Sequence, residues 1–427
     1  MLLYCKRRRL EIEDWLRYHP RVRRSLCRWL LYRTGSDNES ALAKLCAAAR
    51  LADDHALERQ IQERIVALAN SLDAKHVDWT KVVPGFRDPR IHKAAILKPC
   101  LGPNEKGAVF ISFEGLWAKL LHQRNVRDFA ERYSVIVAPS SSPHNFINYV
   151  FPRAYPDPIF TLISNAHDRE VLPRVSDRLI VVPLYASHWV NPDLYQPLPR
   201  AERPYDLIMV ASWGKVKRHH VLFSALRSMA KDLRVLLVGQ DQEGRSAETI
   251  RELARWYGVA DRLTILSNQP YREVTKLFCQ ARASVVLSKR EGSCVVVAES
   301  LFADAPVGLL QAAVLGSRVF INEQTGRFLD ENHLARDLTE LVQNADRYQP
   351  RAWAEQHISC FHSTQILNDV LKQHALQQGQ AWTHDIALMH WAPDPKLIRV
   401  EDKQRLAAER EDIRQRFGLE IGLPPLI

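Results

Sequence analysis

At 427 residues the chain is too long for one ordinary hydrophobic core, so two domains plus extensions are expected. Its composition, 46% hydrophobic and 25% charged, is ordinary for a folded soluble enzyme, and no run approaches the roughly 20 apolar residues that span a bilayer. The net charge is +10, and the seven cysteines are odd in number with no Cys-x-x-Cys pair, which argues against a disulfide framework and a structural zinc site.

The opening MLLYCKRRRLEIEDW has too short an apolar run, with charges on the wrong side, for a secretory signal, so a cytoplasmic location is expected. Residues 1–35 carry ten Lys or Arg against three acids, interleaved with Leu2, Leu3, Trp15, Leu16, Trp29, Leu30 and Leu31. Such a segment could face anionic lipid, nucleic acid or an acidic substrate, or be a solvated helix face. Nucleic-acid binding would rest on charge alone, so no such partner is expected. A peripheral contact with an anionic inner membrane surface is the reading to test.

Residues 1–87 read as a basic helical extension: ALAKLCAAARLADDHALERQIQERIVALANSL repeats apolar residues every three to four positions with strong helix formers. From 88 to 183, short runs rich in Val and Ile (107–113, 134–140, 159–164, 179–184) alternate with helical stretches, the pattern of a parallel sheet with crossovers. Five prolines in 181–204 mark a linker, placed at 184–204. A second and more regular α/β series fills 205–345, with strands at 206–211, 234–239, 262–266 and 283–288. Helices and a tail close the chain over 346–427. The fold class is therefore α/β, with two doubly wound, Rossmann-like domains.

Ligands of such sheets bind beyond the carboxyl ends of the strands. Three ends of the second series carry suggestive residues. After 206–211 comes Ser212-Trp213-Gly214-Lys215-Val216-Lys217-Arg218, a Gly-containing basic loop running into a helix, suited to phosphate. After 234–239 comes Gly239, where a small residue would let a ligand approach or simply make a tight turn. After 283–288 come Glu291, Gly292, Ser293 and Cys294, then a helix holding Glu299. Carboxylates accept from sugar hydroxyls while helix-head amides hold phosphate oxygens; a structural salt bridge is the bland alternative for Glu299. In the first series, His144 after a strand is a candidate for touching donor or acceptor, against the reading of an ordinary loop histidine. Glu114, His167 and His188 rank below it.

Read together, these segments resemble glycosyltransferase family 4, a group of retaining GT-B enzymes marked by two glutamates separated by seven residues. EGSCVVVAESLFADAPV matches that mark at Glu291, Gly292, Glu299, Leu301, Ala303, Pro306 and Val307. VASWGKVKRHHVLFSAL is similar to the family's first strand and loop, RVLLVGQD to its next strand, VVPLYASHWVNPDLYQP to its interdomain segment and QTGRFL to its ending, collinear over about 159–340. The resemblance implies two domains facing across a cleft. It also implies transfer of a sugar from a nucleotide-diphospho sugar, with retention, to a saccharide or lipid-linked acceptor, as in polysaccharide biosynthesis. On it, Glu291 would contact the transferred sugar, Glu299 the ribose, and Lys217 the diphosphate, assisted by the amides of Gly292–Cys294.

The sequence departs from the family pattern where a phosphate-binding Arg is replaced by Ser212; Lys215 or Arg218 would have to supply the missing charge. No Asp-x-Asp pair occurs, so no metal and no further cofactor are expected. Two rivals remain. One is a GT-B-like protein that binds sugar nucleotides without catalysis, favoured by Ser212. The other is an NAD-dependent oxidoreductase, disfavoured because no G-x-G-x-x-G follows a first strand.

Overall fold

Four helices and a single helical turn at Trp79–Val82 precede the first sheet among the described residues: α1 (Leu2–Tyr18), α2 (Pro20–Tyr32), α3 (Glu39–Leu51) and α4 (His55–Ser71). Pro20 starts α2 where its missing N–H costs nothing, and Asp54 caps α4 by accepting from the Ala56 amide at 2.9 Å. Small residues let α3 sit close to its neighbours, and Ala41, Leu42, Leu45, Cys46, Ala48 and Ala49 are buried. The structure is a computed structural model describing residues 2–35, 39–122, 125–140 and 142–422, with residues 2–6 described by backbone alone. The side chains of Leu2 and Leu3 therefore lie outside the described residues.

The first sheet is ordered β1 (Ala94–Lys98), β2 (Gly107–Ser112), β3 (Tyr133–Ala138), β4 (Ile159–Thr161), β5 (Leu179–Val181). Strands β2 to β5 pair in parallel, as their hydrophobic runs suggest; β1 is an antiparallel edge the sequence reading did not anticipate. AAILK is short and followed by Pro99, but all five of its residues are buried, and Lys98 is neutralised by Glu105 at 2.8 Å. Helix α5 (Phe146–Ala154) follows β3.

The second sheet is parallel throughout: β6 (Tyr205–Val210), β7 (Val235–Gly239), β8 (Leu263–Ser267), β9 (Ala281–Val286), β10 (Val307–Leu310) and β11 (Gly326–Leu329), in the order β11-β10-β9-β6-β7-β8. Its crossover helices include α6 (His219–Leu226), α7 (Ala247–Tyr257), α8 (Tyr271–Phe278) and α9 (Val295–Phe302). Helix α7 is bounded by a Ser246–Thr249 capping box and a left-handed Gly258, and it buries Ile250, Leu253, Ala254 and Tyr257.

The compact units differ from the boundaries read in the sequence. Residues 13–186 and 363–427 form one, and residues 1–12 and 187–362 the other. Residues 13–87 thus belong with the first sheet, and so does the end of the chain. The Glu409 carboxylate accepts from the Tyr133 hydroxyl and, at 3.0 Å, from the Cys100 amide, while Phe417 packs edge-on against Phe129. The proline-rich linker folds into short 3-10 turns whose Trp189, Val190 and Tyr195 are buried in the second unit. No helix among the described residues is long and apolar enough to cross a membrane.

Gly326, inside the QTGRFL motif, pairs with Val307 at a φ of 157°, and a Cβ there would lie 2.1 Å from the Val307 carbonyl oxygen. Gly326→Ala is expected to cost about 3 kcal/mol, read by urea unfolding; an unchanged midpoint would contradict the placement.

Candidate functional site

Strands β6 and β9 are neighbours in the second sheet, so the loops leaving their carboxyl ends are neighbours too. The β6 loop tightens into a 3-10 turn, Lys215–Lys217, followed by Arg218 in the left-handed region at φ 60°. This turn presents Lys217 to the β9 loop, where its Nζ lies 2.6 Å from Glu291 Oε1. Both side chains are partly buried, with relative exposures of 22% and 16%.

The β9 loop is held by its carbonyls. Gly292 O accepts from the Gly316 amide at 2.8 Å, Ser293 O from the Ser317 amide at 3.0 Å, and Cys294 O from the Ser317 hydroxyl at 3.0 Å. Turning the carbonyls toward 316–317 leaves the amides on the other side. Among the described residues the amides of Gly292, Ser293 and Cys294 meet no protein acceptor. Cys294, left-handed at φ 55°, then opens α9, whose dipole adds positive potential at the same end. Free donors and a helix head beside an ammonium group suit a phosphate. The Ser293 hydroxyl is engaged elsewhere, 2.7 Å from both the amide and the hydroxyl of Ser187.

Glu299, the fifth residue of α9, is buried and accepts a hydrogen bond from the Tyr195 hydroxyl at 3.2 Å; that hydroxyl is also 3.2 Å from Tyr271. Burial pushes its carboxyl up to about 7, against the lowering effect of hydrogen bonds from Tyr271 and Tyr195. Glu299 therefore has hydroxyl partners rather than a salt bridge. Neither tyrosine was singled out in the sequence. Tyr195 had a signal, since it stands at the aromatic position of the interdomain motif; Tyr271, the first residue of α8, had none.

The other candidates fall differently. Ser212 donates its hydroxyl to Gln242 Oε1, and a Cβ on Gly214 would lie 2.9 Å from that same oxygen. Lys215 is exposed, its amide bonded to Glu243 at 3.3 Å. Arg218 is buried, donating to the Leu287 carbonyl at 3.2 Å and to Glu331, which Lys289 also meets at 2.9 Å. Its charge is balanced inside the fold, which corrects the idea that it replaces the missing phosphate-binding arginine. Gly239 is also accounted for without a ligand, because a Cβ there would meet the Ala211 carbonyl oxygen and the Trp213 ring at 2.7 Å. A pocket of ≈ 480 Å³ opens at the ends of β10 and β11, lined by Lys289, Gln311, Asp330, Glu331 and Asn332 among others.

In the first unit, His144 is buried between Glu58, 2.7 Å from its Nε2, and the Tyr149 hydroxyl, 2.9 Å from its Nδ1. Glu114 accepts from the Ser140 amide and hydroxyl, bracing the loop after β3. His167 meets Glu58. In the second unit, His188 packs edge-on against Phe320.

The family model described as "Glycosyl transferases group 1" matches residues 191–357, the segment that carries Lys217, Glu291 and Glu299. That segment is similar to a glycosyl transferases group 1 domain. Among solved structures, a sucrose-phosphate synthase from Thermosynechococcus elongatus is similar at a TM-score of 0.50 and 17% identity, over 63% of this chain and 74% of that one. The Anabaena protein HepE, solved with UDP, is similar at a TM-score of 0.50 and 14% identity, over 62% of this chain and 78% of that one. Likeness at this identity establishes the GT-B fold. No curated protein matches the chain.

The Glu299 carboxyl yields a pH prediction. It titrates near 4.5 when unfolded and near 7 in the fold, so the native state holds an extra proton between those values. The stability this contributes is complete below 4.5 and is lost as pH rises through 7, a difference on the order of 3 kcal/mol. Glu299→Gln, a neutral mimic, is expected to gain stability relative to the parent between pH 5 and pH 8 in urea unfolding. Parallel pH profiles for the two proteins would contradict the burial of an unpaired carboxyl.

Proposed function

We propose that the chain transfers a sugar from a nucleotide-diphospho sugar, with retention, to a saccharide or lipid-linked acceptor, and that the donor diphosphate sits at the head of α9. The observation that carries this reading is the pairing of Lys217 with Glu291 beside three amides that lack a protein acceptor. In transfer, the bond from the anomeric carbon to the diphosphate oxygen breaks, the acceptor hydroxyl oxygen forms the new bond, and its proton leaves with the departing diphosphate. The departing diphosphate gathers negative charge, which a fixed ammonium and a helix head stabilise without reorganising. Glu291 is then released from Lys217 to meet the sugar hydroxyls, and Glu299 with its two tyrosines reads the ribose. The role of Ser212, a neutral side chain already bonded to Gln242, favours a second reading in which the nucleotide sugar binds without transfer.

Thermal shift against UDP-, GDP- and ADP-sugars tests the binding, since a ligand at 100 times its dissociation constant adds about 2.7 kcal/mol. Lys217→Ala is expected to weaken a nucleoside diphosphate roughly tenfold while leaving the parent nucleoside nearly unchanged. Equal losses for both would place Lys217 away from phosphate. Binding without release of nucleoside diphosphate from any acceptor mixture would favour the second reading.

The basic extension is proposed to dock on anionic lipid. Trp15, Leu16, Leu26, Trp29 and Tyr32 are exposed, Trp29 at 56% and Tyr32 at 87%, on the helices that carry Arg17, Arg21, Arg28 and Arg33. Exposed aromatic rings and cations on these helices suit a headgroup layer, each cation adding about 1 kcal/mol at low salt. Arg24, paired with Asp53 at 2.7 Å, is not counted among them. Co-sedimentation with anionic vesicles at low salt, lost at high salt or with neutral vesicles, is expected; protein left in the supernatant would make the extension structural only.

A further inference from the structure

Away from the donor site, His55 and Glu58 stand one turn apart at the start of α4, and His167 lies in the loop beyond the carboxyl end of β4. His167 Nε2 is 3.0 Å from both Glu58 oxygens, and His55 Nδ1 is 3.4 Å from Oε2. The three ligand atoms lie within 4.8 Å of one another, and this is the one such cluster among the described residues. A tetrahedral ion with bonds of about 2.0–2.1 Å holds its ligands about 3.3 Å apart. Two edges of the triangle already have that length. The third closes by rotation of His55, whose side chain is 85% exposed and whose ring already lies against that of His167, centroids 5.0 Å apart.

The surroundings fix the carboxylate and leave room for the ion. Glu58 is anchored from behind by the buried His144, itself oriented by Tyr149, the kind of outer hydrogen bond that sets a metal-binding carboxylate. The other nitrogen of His167 faces the Glu170 carboxylate at 4.0 Å. In front lies a pocket of ≈ 510 Å³, which leaves a fourth coordination position open. We propose that His55, Glu58 and His167 bind one divalent ion of the zinc class, clasping α4 to the loop after β4. Two imidazoles and one carboxylate select such an ion over magnesium or calcium, which want oxygen ligands. His144 is then a positioning residue for Glu58, and the site differs from the Asp-x-Asp type that the sequence lacks. It does not depend on the proposed donor chemistry.

The test uses the full-length chain, stripped with a chelator and titrated with zinc and, separately, magnesium by calorimetry, with bound zinc counted by mass spectrometry. One zinc and no magnesium are expected, with a rise in melting temperature on zinc addition. His55→Ala, at an exposed position, and His167→Ala are each expected to weaken zinc at least tenfold. If His167→Ala fails to fold by circular dichroism, His55→Ala decides alone. Zinc stoichiometry far below one, or unchanged zinc affinity in His55→Ala, would overturn the proposal.

Discussion

All six strands of the second sheet run the same way, so the loops leaving their carboxyl ends gather along one edge. Strand order then decides which loops touch. Because β9 pairs with β6, Lys217 and Glu291 meet although 74 residues separate them. Parallel pairing also requires a crossover connection between strands, and the helix that forms the one after β9 brings its head to the same point. The ion pair, the open amides and the positive end of α9 are three results of one pairing pattern.

The charges at this edge are balanced in different ways. Arg218, adjacent to Lys217, is buried against Glu331 and the Leu287 carbonyl, a pairing that removes it from ligand chemistry. Lys217 is paired with Glu291, and both side chains are partly buried. Glu299 meets no cation among the described residues and holds its proton well above the usual carboxylate range, with two phenols beside it. The second sheet thus contains a cation locked in the interior, a cation paired at the strand ends and a buried carboxyl that titrates well above the usual carboxylate range.

Much of the fold was legible because parallel strands buried on both faces are nearly continuous hydrophobic runs. The β2, β3 and β6 to β9 runs start within about two residues of where the sequence places them. Strand β1 escaped because an edge pairing leaves no pattern in a five-residue run. The return of the last helices to the first sheet escaped because Tyr133 and Glu409 are 276 residues apart. At the site, Glu291, Glu299 and Lys217 were visible through spacing and motif. The tyrosines on Glu299 were not, since hydroxyl partners of a buried carboxylate carry no spacing rule. Gly239 looked permissive in sequence, but the Trp213 ring fills its space. His144 looked like a loop histidine and is a buried link between Glu58 and Tyr149.

The central claim is that a diphosphate belongs at the head of α9. A crystal structure of the full-length chain with a bound nucleoside diphosphate tests it most directly. The account predicts phosphate oxygens about 3 Å from the amides of Gly292–Cys294 and from Lys217 Nζ, with the Lys217–Glu291 contact broken. A nucleotide bound elsewhere, or one bound with Lys217 still paired to Glu291 and those amides unoccupied, would contradict it.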